Sequence, residues 1–184
     1  YMALANATVT VGAANTLGED GNIIVTPGVG GAVQRIQGGS ITGGAAGSPL
    51  GVLQNSGGTF IIDSTIVDNG GATSFTVGGT GTGRVVLSGA NTYTGSTTVS
   101  GGILSFDSVA NAGTASAIGA SGSDASNLVF ENGTLRYTGD TASTDRGFTL
   151  VNGGPSRTIQ VDGTANVTFG GVVTSPDDAG FTKT

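Results

Sequence analysis

Gly81-Thr82-Gly83-Arg84-Val85-Val86-Leu87-Ser88-Gly89-Ala90-Asn91-Thr92-Tyr93-Thr94-Gly95-Ser96-Thr97-Thr98-Val99-Ser100-Gly101-Gly102-Ile103-Leu104-Ser105-Phe106-Asp107-Ser108 decides the fold. Arg84–Ser88, Ser96–Ser100 and Ile103–Phe106 are rich in Val, Leu, Ile, Phe and Thr, which suit a pleated, half-buried surface. Gly89-Ala90-Asn91, Gly95 and Gly101-Gly102 stand between them, and Gly and Asn accept the positive φ of tight corners. Corners this close leave no room for long hairpin strands. The pattern predicts a chain that winds, laying each short strand over one from the previous winding. Alternation along the strands is read with Val86 and Leu104 pointing inward, and Arg84 and Ser96 pointing outward.

The rest of the chain repeats this texture. Strands are expected at Ala7–Val11, Asn22–Thr26, Ala32–Ile36, Leu50–Gln54, Thr59–Asp63, Ile66-Val67 and Ser74–Val77 before the quoted stretch. After it they are expected at Asn127–Phe130, Thr134–Tyr137, Phe148–Val151, Thr158–Val161 and Val167–Phe169. Glu19-Asp20-Gly21, Pro27-Gly28 and Asn132-Gly133 read as turns. Gly43–Pro49 and Asp140–Arg146 read as loops. Residues 109–126 are rich in Ala, Gly and Ser and read as a small excursion from the winding, partly helical at most. Glycine is too frequent for a confident helix, since each interior Gly costs about 1 kcal/mol relative to Ala. The fold class is therefore all-β, as a single solenoid domain over residues 1–184. An internal similarity aligns Ile66-Val67 and Phe75-Thr76 with Val172-Val173 and Phe181-Thr182, a shift of several windings. With about 20–25 residues per winding, about eight windings are expected.

The quoted stretch also resembles the strand repeat of bacterial autotransporter passenger domains. The residues that carry the resemblance are Gly81, Thr82, Gly83, Val85-Val86-Leu87, Ser88, Gly89, Asn91, Tyr93, Thr94, Gly95, Thr97, Thr98, Val99, Gly102 and Leu104. Arg84 departs from it, where the family has a small or polar residue. The resemblance implies a right-handed parallel β-helix exported to the surface of a Gram-negative cell, and it implies no chemistry of its own. The same handedness is the rule for parallel crossovers.

Composition limits function. The net charge is −6 with six basic residues, which gives no basic footprint for nucleic acid or for an anionic membrane. No apolar run has the length of a transmembrane helix. Tyr1–Val11 lacks the features of a signal peptide, so a mature or excised piece is expected. There is no His and no Cys, so the common nucleophile–base pairs and nitrogen- or sulfur-rich metal sites have no residues. A Ser–Lys pair would need Lys183, the single lysine.

Carboxylates remain. Asp20, Asp68, Asp140 and Asp162 lie in turn contexts and are read as bonding backbone there. An Asp cluster along one face would support a polysaccharide-acting enzyme instead. Asp177-Asp178 offers too few oxygens for calcium and is read as a solvated loop. Gly78–Gly83 lacks the Lys-Ser/Thr and the helix of a phosphate loop and is read as a corner. Asn91 is expected to bond its own turn, and Tyr93 to cover the corner of the coil. The sequons at Asn6, Asn132 and Asn166 are read as chance.

No catalytic residue, metal or other cofactor is expected. The leading functional reading is a structural or adhesive surface segment of a longer repeat protein. Self-assembly into an extracellular fibre and polysaccharide-directed catalysis are the alternatives. Neither end resembles the polar cap of a natural solenoid. Tyr1–Leu4 is apolar, and Phe181, Thr182, Lys183 and Thr184 copy a lead-in to a further coil. These ends are expected to meet another copy or a continuation of the chain.

Overall fold

The computed structural model describes residues 6–17, 21–151, 157–176 and 179–184. Tyr1–Leu4, Glu19-Asp20 and Asp177-Asp178 lie outside them. The first coil carries β1 (Ala7–Thr10), β2 (Ala14–Thr16) and β3 (Asn22–Val25). The second has β4 (Val33–Gln37), β5 (Ser40–Thr42) and β6 (Leu50–Gln54), and the third β7 (Thr59–Ile62), β8 (Thr65–Ile66) and β9 (Phe75–Gly78). The fourth has β10 (Arg84–Leu87) and β11 (Thr97–Val99), and the fifth β12 (Ile103–Phe106) and β13 (Leu128–Phe130). The sixth has β14 (Gly133–Tyr137), β15 (Ala142–Thr144) and β16 (Phe148–Leu150). The seventh has β17 (Arg157–Val161), β18 (Val167–Phe169) and β19 (Val173–Thr174), and β20 (Thr182–Lys183) opens the next.

These strands form a three-faced parallel solenoid. An eight-stranded sheet runs β1-β4-β7-β10-β12-β14-β17-β20, and a seven-stranded sheet runs β19-β16-β13-β11-β9-β6-β3. The third face is discontinuous, with β2-β5-β8 at one end and β15-β18 at the other. Every ladder between strands is parallel, the all-β parallel β-helix expected from the sequence. Register runs Ala7, Gln34, Phe60, Val85, Leu104, Leu135, Ile159, Lys183 up the first sheet. That is seven full coils rather than eight, because the steps from Ala7 to Lys183 average about 25 residues, the top of the assumed range. At about 4.8 Å per strand, the stack is about 34 Å tall.

The interior follows from side-chain alternation. Phe60, Val85, Leu104 and Leu135 form one inward column, and Ile62, Leu87, Phe106 and Tyr137 another. Val52, Val77, Val99, Phe130 and Leu150 face them from the second sheet. The reading of Val86 as inward is corrected here. Val85 and Leu87 are fully buried, whereas Val86 is half-buried on the outer face. A period of two puts residue 86 on the same side as Arg84, which is exposed.

Two further expectations are corrected. The Asp140–Arg146 loop contains strand β15. Gly43–Pro49 is a loop as expected, and strand β5 precedes it. Both strands have three residues, too few for alternation to announce them, and are made into strands by stacking on the coil below or above. The internal similarity is also out of phase. Ile66-Val67 runs along the third face whereas its match Val172-Val173 enters the seven-stranded sheet, and Phe75 lies in the seven-stranded sheet while Phe181 leads into the eight-stranded one. A short aliphatic or Phe-Thr pattern fits any face, so matching it does not fix which face it occupies.

Candidate functional site

Most residues singled out in the fourth coil bond to the coil beneath. Gly81 and Gly83 pack directly on it: a Cβ would fall 2.2 Å from the Ser56 carbonyl oxygen and 2.1 Å from that of Gly58. Gly83 donates its N–H to Ser56 O at 2.9 Å, and Thr82 between the two glycines is exposed. Ser88 Oγ donates to Asp63 Oδ1 at 2.6 Å. Gly89 and Gly102 turn the chain at φ 79° and 68°. Gly95 donates to Thr73 O at 3.1 Å. Val99 and Leu104 are fully buried.

Asn91 and Tyr93 are interior residues. Asn91 Oδ1 accepts from Ile66 N at 2.8 Å in the coil below, and Nδ2 donates to Ala117 O at 2.8 Å in the coil above. It ties three levels together instead of bonding its own turn. The reason is burial: with no exposure, its amide must find partners inside the stack. Tyr93 does not cover the corner from outside. Its ring is fully buried beside Phe75, and its hydroxyl bonds Thr97 Oγ1 at 2.6 Å. Burial pushes the Tyr93 phenol well above its ordinary pKa, so it stays neutral.

The turn aspartates also reach between coils. Asp68 accepts from Thr73 N at 2.8 Å, Thr94 N at 2.9 Å and Thr94 Oγ1 at 2.7 Å. Burial alone would raise its pKa, but the bonds from Thr94 and Thr73 outweigh it and hold the carboxyl below the usual range. Asp162 takes a two-pronged bond from Arg136, with Nη2 at 2.6 Å, and a third from Gln160 at 3.0 Å. The hydrogen bond from Arg136 is the main cause of its lowered pKa. Asp63 pairs with Arg35. Asp145 Oδ1 accepts from Ala112 N at 2.8 Å.

A shallow polar trough runs along the corner after the eight-stranded sheet. Gly89, Asp107, Ser108, Thr138, Gly139 and Asp140 line about 470 Å³ of it, and Asp140 to Thr141 and Asp162 to Ala165 line a further 290 Å³. Here carboxylates of successive coils line a shared hollow. Asp162 is committed to Arg136 and stays ionised, which unfits it as a general acid. The described residues contain no cluster of three metal-ligating side chains. Lys183 does not line this trough. It stands over Ile159 and, with Phe148, Val161, Val167, Phe169 and Phe181, lines an apolar hollow of about 220 Å³ at the last coil. Phe181 packs edge-on against Phe148, Thr182 pairs with Thr158, and Thr184 N donates to Ile159 O at 3.1 Å.

Sequence reasoning misses several buried polar residues, and Arg146 is the largest of them. It is 1% exposed, and its guanidinium donates to Ile118 O at 3.0 Å and to Ser121 Oγ. An arginine in a polar run gives no sign that it turns inward. The Ala- and Gly-rich run at 109–126 is the available clue, since it supplies the carbonyls that the guanidinium meets.

Two comparisons relate this sequence to known proteins. Residues 80–106 match the passenger-associated-transport-repeat family. The chain is 59% identical over all 184 residues to the adhesin BmaC autotransporter of Brucella suis biovar 1 (strain 1330), and it spans 5% of that protein's length. No solved structure matches it. The resemblance read from Gly81–Leu104 to autotransporter passengers carrying strand repeats is thus borne out.

Proposed function

We propose that this chain is a structural segment of the surface-exposed passenger of an autotransporter adhesin, exported across a Gram-negative outer membrane, without catalytic activity of its own. One observation carries this reading. Among the described residues, polar side chains such as Asn91, Asp68 and Ser88 are taken up by bonds between coils instead of by a reacting centre. In this reading Gly81, Gly83, Asn91, Tyr93, Thr94 and Gly95 are building residues of the repeat, and any adhesive contact is presented by the outer faces. The apolar hollow at Phe181 and Lys183 is covered by a further coil of a longer protein or by a second copy of the chain.

The test is to replace residues 6–184 in a full-length passenger by an equal number of coils from an unrelated solenoid. Surface display and the exposure of distal parts should be retained. Loss of display would overturn the structural reading. Size exclusion of the isolated chain separates a further coil from a second copy: monomeric rods support the former, filaments the fibre alternative.

The corner trough supports a second reading, action on a polysaccharide, because Asp107 and Asp140 line it together. Turnover of a polysaccharide by the purified chain, abolished by Asp107→Asn or Asp140→Asn, would establish it over the first.

A further inference from the structure

Between β12 and β13 the fifth coil makes a detour where the fourth makes a tight corner. Residues 107–127 do there what residues 88–96 do one coil below. The detour has no strand of its own, yet its middle, Ser116–Gly119, is buried between exposed Asn111 and Gly122–Asp124. It is gripped from both sides. From below, Asn91 N donates to Ser116 O at 3.0 Å and Ala120 N donates to Tyr93 O at 2.8 Å. From above, Thr144 Oγ1 donates to Ala110 O at 2.7 Å, and Asp145 N donates to Asn111 Oδ1 at 3.1 Å.

We propose that Arg146 is a latch that makes this detour and the third face of the sixth coil order and open as one unit. The guanidinium is buried, and no carboxylate lies within ion-pair distance of it among the described residues. The acceptors its side chain reaches are Ile118 O, Gly119 O and Ser121 Oγ, all on the detour. A buried cation is costly unless its donors are met; the detour meets those of Nη1 and Nη2, while Nε has no hydrogen-bond partner among the described residues. The dependence therefore runs both ways. Without Arg146 the buried middle of the detour loses its anchor from above and keeps only the bonds at its two ends, from Thr144 and Asp145 to residues 110–112 and from Gly147 N to Ser123 O. Without the detour Arg146 is stranded, and residues 142–146 must open to hydrate it. The end bonds survive in Arg146→Met, so the guanidinium's share of this second effect is what that variant removes.

Hydrogen exchange of the intact chain tests the latch. In Arg146→Met, amides of residues 116–121 and 142–146 should exchange at least about tenfold faster, with β4, β7 and β8 unchanged. Gly119→Ala is the decisive second variant. Gly119 sits at φ 76°, and a Cβ there falls 2.6 Å from the Tyr93 ring, so the substitution displaces the detour from below. The latch requires that it also speed exchange at 142–146. In the Arg146→Met background the same substitution should add much less there, the non-additivity of residues that act together. Faster exchange at 116–121 alone in Gly119→Ala would overturn the proposal. So would unchanged protection in Arg146→Met, or an equal loss in every coil.

Discussion

The fourth and fifth coils solve the same problem at different lengths. From Val85 to its register partner Leu104 is 19 residues, and from Leu104 to Leu135 is 31. Both coils return to the two large sheets in register. The shorter does so through Gly89, buried Asn91 and Gly95, the longer through a buried Ser116–Gly119 segment held by Asn91 and Arg146. The comparison teaches that coil length is free wherever the third face can vary. What is fixed is the inward column on each sheet and a polar side chain that ties the corner to its neighbours.

The sharpest way to break these two coils is to charge their inward column. Val85→Asp or Leu104→Asp should cost about 4 kcal/mol or more, since each buries a carboxylate with no partner. Val86→Asp, one position along, should cost less than about 1 kcal/mol, because residue 86 faces outward. Denaturant melts of the three variants check both statements, and equal losses at residues 85 and 86 would contradict the alternation described.

Asn91→Ala comes next. It removes two buried hydrogen bonds and orphans Ile66 N and Ala117 O, so about 2–4 kcal/mol should be lost in the same melts. Because Asn91 serves both coils, the fifth coil should lose exchange protection along with the third. Protection lost in the fourth coil alone would mean that the long detour is independent of the short corner.

Much of this architecture is legible in the amino-acid sequence. The inward columns, the corners and the repeat all follow from runs of β-formers punctuated by Gly and Asn. What escapes has a common cause. β2, β5 and β15 are short strands that exist because another coil lies against them, and a single sequence does not show what stacks on what. Arg146 and the cross-coil role of Asn91 escape for the same reason: partners such as Ile118 and Ile66 lie 25 or more residues away. The similarity between Phe75-Thr76 and Phe181-Thr182 misleads because strand patterns are alike on all three faces.

Acid should sharpen the comparison through Asp68, which anchors Thr94 at the short corner. Its folded pKa lies below its unfolded one, so its contribution is present above the ordinary aspartate range and is lost as pH falls through the lowered folded value. Stability should thus be flat from neutral pH to about 5 and decline below about 4. Thr94→Val should lower stability at neutral pH and shrink that decline. A variant that keeps the full acid loss would show that other carboxylates cause it. The smallest effect belongs to the outer ion pair. Arg35→Gln should change stability by less than about 1 kcal/mol, since both partners are partly exposed.

The central claim is the stacking itself, and the absence of cysteine makes it directly measurable. Thr76 and Thr174 face outward on the seven-stranded sheet, four register steps apart through Thr98, Val129 and Thr149. Spin labels on cysteines placed at these two positions should report one narrow distribution, with a backbone separation of about 19 Å despite the intervening detour. A broad distribution, or a separation beyond about 30 Å, would contradict a continuous parallel stack.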